Sequence, residues 1–163
     1  STPTDLPRRR IGIAEHVIVS EPAVLTTSGL GSCVGIGLYD ETGRGGFVHC
    51  MLPAAAETSN PNSSKPAKFV DTAVELLHEK LLAAGARSGA LRAKLAGGSD
   101  MLGLSDDLTV GERNTSAAED ALATADIPLV ATETGGQQGR SLKFETATGQ
   151  LQVVAADGTT TVL

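Results

Sequence analysis

Apolar and polar residues alternate through much of the first third of the chain. In residues 33–40, CVGIGLYD, the apolar Val34, Ile36 and Leu38 alternate with Cys33, Gly35, Gly37 and Tyr39. That is the two-residue period of a strand with one greasy face. A bend-forming stretch, ETGRGG, follows at 41–46, and then GFVHCML. Here Val48, Cys50 and Leu52 share one face while Phe47, His49 and Met51 share the other, which predicts a hairpin with the preceding strand. Upstream, residues 11–20 and 23–29 read as two more strands joined by a tight turn at Glu21 and Pro22. Residues 1–10, with Pro3, Pro7 and several charges, are expected to be a flexible N-terminal arm, leaving 11–163 as a single domain.

The period changes after a polar loop at 54–66, AAAETSNPNSSKP, a length typical of lids and docking surfaces. Pro66 suits the first turn of a helix, and Phe69, Val70, Ala73, Val74, Leu77 and Leu81 recur at helical spacing until Gly85. In residues 90–98, Leu91, Ala93 and Leu95 alternate against Arg92 and Lys94, a half-exposed strand. Residues 99–108 read as loop and 111–125 as a second helix with a weaker apolar face. Strands follow at 127–133, 140–146, 151–155 and 159–163, with a glycine-rich loop at 134–139. Two helices among many strands give an α/β expectation.

At 163 residues and 16.6 kDa the chain suits one domain able to bury a core without staples. Its only aromatic residues are Phe47, Phe69, Phe144 and Tyr39, so the core must be built from Val, Leu, Ile and Ala. A net charge of -6 and a pI near 5.0 argue against a nucleic-acid groove or an anionic membrane surface. The short basic run at 8–10 reads as part of a solvated arm. No stretch is long enough for membrane insertion. Two cysteines and no recognisable signal peptide lead to the expectation of a cytoplasmic protein with reduced thiols.

Chemistry concentrates in residues 26–53, where Cys33 and His49 could form a nucleophile and base: an imidazole that takes the thiol proton leaves a reactive thiolate. Gly35 and Gly37, on the strand face that carries Cys33, suggest room for a substrate beside the sulfur. Backbone N–H groups in the turn before Cys33, at Gly31 and Ser32, could face an oxyanion, and Thr27 or Ser28 could orient the imidazole. Phosphate binding is a poor match, because GLGSCVGIG has neither the Lys-Ser/Thr ending of a P-loop nor the G-x-G-x-x-G spacing. A zinc site is also poor, since His49 and Cys50 lie on opposite strand faces and a fourth ligand at the usual spacing is missing. His78 reads as a boundary residue of the first helix.

The motifs taken together resemble the CheD family of chemoreceptor glutamine deamidases. The resemblance rests on T-x-G-L-G-S-C-V at 27–34, H-x-M-L-P at 49–53 and K-P-x-K-F at 65–69. It continues through A-K-x-A-G-G-x-x-M at 93–101, V-G-x-R-N at 110–114 and T-G-G-x-x-G-R-S at 134–141. It implies a layered α/β sandwich with a mixed, largely antiparallel sheet and two main helices, similar to cysteine-dependent deamidating toxins. It also implies Cys33 as nucleophile, His49 as acid/base partner and Thr27 as the third member, with no cofactor and no metal. The implied substrates are glutamines of methyl-accepting chemotaxis receptors, and the implied partner is a CheC-type phosphatase. Gly97, Gly98, Met101 and Leu102 would lie on the partner or substrate surface, with Leu102 standing where many relatives have Phe. A binding module that regulates such a phosphatase without catalysis, and hydrolysis of receptor methyl esters, are the other readings.

Overall fold

The computed structural model describes residues 6–55, 65–100 and 109–163. Its strands are β1 (Arg8–Arg10), β2 (His16–Val19), β3 (Val24–Leu30), β4 (Val34–Tyr39), β5 (Gly45–Cys50), β6 (Arg92–Gly97), β7 (Leu129–Thr134), β8 (Arg140–Glu145), β9 (Gln150–Ala155) and β10 (Thr160–Val162). The helices are α1 (Val70–Ala83) and α2 (Val110–Thr124). The strands form two five-stranded sheets, ordered β1-β3-β8-β9-β10 and β2-β5-β4-β6-β7. Each is mostly antiparallel with one parallel pair, β1 with β3 and β6 with β7. The α/β expectation holds, with the strands divided between two sheets.

Three layers result. Val34, Ile36, Leu38, Val48 and Cys50 point from the second sheet toward Val70, Ala73, Val74, Leu77 and Leu81 of α1 and Ala118 and Leu122 of α2. The opposite faces of the same strands meet the first sheet, where Leu25, Leu30, Leu142, Phe144, Leu151 and Val153 pack with Phe47 and Ala96. Strand alternation thus assigns each residue of β4 and β5 to one of two cores. Among the described residues, no helix is long and apolar enough to cross a membrane.

Several local expectations are corrected. Arg8–Arg10 is not part of a frayed arm: it pairs in parallel with β3, matching Arg8 to Val24 and Arg10 to Thr26. Residues 11–15 are not strand. They carry the chain from the first sheet to the second, with Ala14 at a left-handed φ of 63° and Ile13 exposed. Alternation could not reveal this, because β2 and β3 pair in different sheets instead of forming a hairpin. Pro66 opens a separate 3₁₀ turn, Pro66–Lys68, and Phe69 is extended at φ -111°, ψ 133° before α1 begins. Gly35 and Gly37 do not make room for a substrate. A Cβ on Gly37 would lie 2.8 Å from Phe144 Cζ, and one on Gly35 would overlap Leu142, so both glycines admit side chains of the facing sheet.

Candidate active site

Three of the expected residues converge where the chain passes between sheets. Residues 31–33 leave β3 of the first sheet and enter β4 of the second. In the β4–β5 ladder Val34 opposes Cys50 and Gly35 opposes His49. Cys33 therefore stands diagonal to His49 on the face turned to the first sheet, a placement from which side chains can reach one another. Thr27 comes to this face through a bulge. Thr27 pairs with Leu142 and Leu30 with Arg140, so β3 has one residue more than β8 across that interval. Gly29, at φ 74°, takes up the excess, and both Thr27 and Leu30 turn inward although an odd number of positions separates them.

Thr27 and His49 are joined directly. His49 is fully buried, Thr27 is nearly so, and Thr27 Oγ1 lies 2.8 Å from His49 Nδ1. The threonine hydroxyl donates its one proton to the Ile11 carbonyl at 2.9 Å. It can then only accept from the ring, so Nδ1 carries the hydrogen and Nε2 keeps its lone pair. Nε2 is buried and, among the described residues, has no hydrogen-bond partner. The crossing segment 11–15 completes the mount: Ala14 N donates to His49 O at 2.9 Å and His49 N to Glu15 O at 3.2 Å. Ser28 does not orient the imidazole, because its Oγ accepts from Arg10 at 2.5 Å.

Burial favours the uncharged forms of both Cys33 and His49. Burial pushes the Cys33 thiol above its ordinary range, with only partial relief from its own amide. Burial likewise holds His49 below the usual histidine value, since an imidazolium there would lose its hydration. Cys50 is raised further and stays buried on the helix side, the small core hydrophobe its strand position predicts. Both cysteines are free, and Cys33 is the half-buried one.

The loop bearing Cys33 is fixed through its carbonyls. Gly31 O accepts from Ser99 N at 3.0 Å and from Ser99 Oγ at 2.6 Å. Ser32 O accepts from Asn114 Nδ2 at 2.9 Å, and Cys33 O from Gly98 N at 2.8 Å. In a trans peptide the N–H points opposite to the C=O. The amides of Ser32 and Cys33 thus face away from Ser99 and Asn114.

Gly97 and Gly98, expected on a partner or substrate surface, are buried, which corrects that assignment. A Cβ on Gly97 would overlap the Cys33 carbonyl, and Gly98 lies against Thr115 and the Gly111 carbonyl. Their work is to let this backbone close on the loop bearing Cys33. Met101 and Leu102 lie outside the described residues. Sequence reasoning gave no role to Asn114, Ser99 or the Ile11 carbonyl. Asn114 had a signal: a polar residue in the stripe of Gly111, Asn114, Ala118 and Leu122 that α2 buries.

The family model for "CheD chemotactic sensory transduction" matches residues 51–155. The chain belongs to the CheD family. It is 49% identical over 149 residues to "Probable chemoreceptor glutamine deamidase CheD 2" of Geobacter metallireducens, covering 89% of this chain and 91% of that one. It is 45% identical to "Probable chemoreceptor glutamine deamidase CheD" of Haloarcula marismortui, over 92% of this chain and 86% of that one. A third relative, "Chemoreceptor glutamine deamidase CheD" of Bacillus licheniformis, is 42% identical over 94% of both chains. The CheD model begins after His49, but alignments of this length take in the segment from Thr27 to His49 as well.

Proposed function

We propose that this CheD-family protein hydrolyses glutamine side chains of methyl-accepting chemotaxis receptors to glutamate, releasing ammonia, with Cys33 as nucleophile. The observation that carries this reading is the contact of Thr27 with His49 Nδ1 and the Ile11 carbonyl. Thr27 Oγ1, which donates to Ile11 O, accepts from Nδ1, so a basic Nε2 with no hydrogen-bond partner among the described residues is left on the face that also bears Cys33. The names of the relatives supply the substrate class.

In this mechanism His49 Nε2 removes the Cys33 proton as the sulfur bonds to the glutamine amide carbon. The carbonyl π electrons move to oxygen, where the outward-facing amides of Ser32 and Cys33 stabilise the charge, with Gly31 supporting the turn. The imidazolium then gives its proton to the amide nitrogen, the C–N bond breaks, and ammonia leaves. Water, deprotonated by His49, attacks the thioester; the C–S bond breaks, giving glutamate and restoring the thiol. Because His49 is fully buried and Cys33 only half-buried, a substrate meets the sulfur first. Thiol and imidazole supply every proton transfer, so the reading needs no cofactor. It places the protein's work in the cytoplasm, where thiols stay reduced. It also includes a CheC-type phosphatase as partner. Receptor methyl esters would be hydrolysed by the same steps with methanol as leaving group.

The test is mass spectrometry of a co-expressed receptor together with ammonia release from a purified receptor fragment. Wild-type protein should convert Gln to Glu, and Cys33→Ala should not. Conversion by Cys33→Ala at the wild-type rate would rule out this mechanism.

A further inference from the structure

The nucleophile and its base arrive on different segments, the sheet-crossing residues 31–33 and strand β5. Hydrogen bonds within the β4–β5 ladder fix Val34 and Gly35 against Cys50 and His49, but Cys33 lies beyond the last paired residue of β4. Something else must hold the 31–33 segment against the end of β5. One side chain does so. Asn114, fully buried on α2, uses the two hydrogens of its Nδ2 on two carbonyls: Ser32 O at 2.9 Å and Met51 O at 2.9 Å. Ser32 immediately precedes Cys33, and Met51 follows His49 by two positions. Both neighbours are acceptors, so the carboxamide can be oriented only with nitrogen toward them.

The rest of α2's first turns is arranged for this reach. Thr109 caps the helix by accepting from Glu112 N at 3.2 Å, which fixes where the helix begins. Gly111 carries no side chain where the carbonyls of Gly98 and Ser99 press close; a Cβ there would lie 2.5 Å from each of them. The helix can therefore lie directly on the 97–99 backbone, which in turn holds Gly31 and Cys33 by their carbonyls.

Resting on the deamidase reading for its substrate, we infer that Asn114 is a positioning residue for catalysis: its carboxamide sets the spacing between the Cys33 thiol and His49 Nε2. Asn114 touches neither reacting group. It acts on the peptide bonds that carry them, and a displacement of about 1 Å between reacting groups is enough to slow a reaction roughly 100-fold. Removing the amide frees two partly buried carbonyls at once and uncouples the segments it joins.

The experiment compares full-length wild-type protein with Asn114→Ala and Asn114→Asp, each alone and combined with His49→Ala. Alkylation of Cys33 by iodoacetamide over a range of pH reports how far His49 assists the thiol, without any receptor. Cys33→Ala provides the blank, since Cys50 is buried. His49→Ala should slow alkylation in the wild-type background and change it little in the Asn114→Ala background. On a receptor fragment, Asn114→Ala should lower kcat roughly 100-fold while KM stays within about threefold. Asn114→Asp, whose protonated carboxyl can donate to one carbonyl, should fall between the two in mildly acid solution. It should approach Asn114→Ala as the carboxyl ionises.

A cooperatively melting Asn114→Ala protein with wild-type kcat and undiminished dependence of alkylation on His49 would overturn the inference. If neither variant folds, hydrogen exchange of the Asn114 carboxamide in the wild-type protein decides. Protection supports the bridge, and exchange at the rate of a free amide refutes it. Absence of ammonia release by wild-type protein would defeat the deamidase reading while the alkylation cycle still judged Asn114.

Discussion

Replacing Thr27 with Val removes one oxygen and almost nothing else. Two buried groups lose their partner: the Ile11 carbonyl, now 2.9 Å from the hydroxyl, and His49 Nδ1, now 2.8 Å from it. Each buried polar group left unsatisfied costs about 1–3 kcal/mol, so the folded protein should lose roughly 2–4 kcal/mol after some relaxation. The catalytic effect is separate. The Thr27 bond selects the tautomer with hydrogen on Nδ1; if it contributes about 1–1.5 kcal/mol, its loss lowers the ratio of imidazole with a free Nε2 lone pair to the other tautomer about tenfold. Freedom of the ring to rotate adds to this, and kcat should fall roughly 10- to 100-fold. Loss of Cys33 should be more severe, since no other group can form the thioester. The assay is steady-state ammonia release from a receptor fragment, run well below the melting temperature of each variant. Thr27→Ser, which restores the hydroxyl without the methyl, should recover most of the rate. A folded Thr27→Val protein with kcat within twofold of wild type would refute the tautomer argument, as would a Thr27→Ser protein no faster than Thr27→Val.

Three further outcomes follow from the charge states and the packing. The active form holds one proton between a thiol raised by burial and a histidine lowered by burial, so kcat/KM should rise with pH through a value below 6.5. It should stay level through neutrality and fall only above the ordinary thiol value of 9.0, where no proton remains for the leaving ammonia; a narrow optimum between those values would refute the separation of the two groups by burial. The same lowered histidine makes the folded state bind fewer protons than the unfolded one. Its contribution to stability is therefore complete above 6.5 and declines as pH falls toward the folded value, which thermal melts of wild type and His49→Ala would register. Gly37→Ala would press a methyl within 2.8 Å of the Phe144 ring, which is stacked on Phe47 at 5.7 Å between centroids and cannot swing clear. We expect a loss of about 1–3 kcal/mol, or roughly 2–12 °C in Tm for a domain this size, and an unchanged Tm would show that the two sheets can separate locally.

What was legible in the sequence is what short-range periodicity encodes. Alternation in 33–39 and 46–52 separated Cys33 from Cys50 and put His49 on the thiol's side, because a strand's faces are fixed by position alone. The apolar stripe from Val70 to Leu81 marked the buried face of α1 for the same reason. Periodicity carries no information about which sheet a strand joins. Residues 11–15 offered Ile11 and Ile13 at strand spacing, yet this stretch crosses between sheets and leaves Ile13 outside. Gly35 and Gly37 were misread for a related cause: the side chains that fill their places, Leu142 and Phe144, are more than 100 positions away in the chain.

The positioning groups that escaped sequence reasoning have one property in common: they work through main-chain atoms. Ile11 O anchors Thr27, Ser32 O and Met51 O receive Asn114, Gly31 O receives Ser99, and Cys33 O receives Gly98. A motif displays side chains, and a carbonyl looks the same under every one of them. The glycine pair at 97–98 and Gly111 are the nearest the sequence comes to signalling this arrangement. Bare positions are needed where three backbone segments lie in contact, and a side chain at any of these positions would meet a neighbouring carbonyl. Read as exposed surface, the glycine pair suggested docking; in the fold it is the packing that lets α2 grip the loop bearing Cys33. A substitution such as Gly111→Ala should accordingly act on catalysis without touching Cys33, His49 or Thr27, by lifting α2 and withdrawing Asn114 from the two carbonyls it joins.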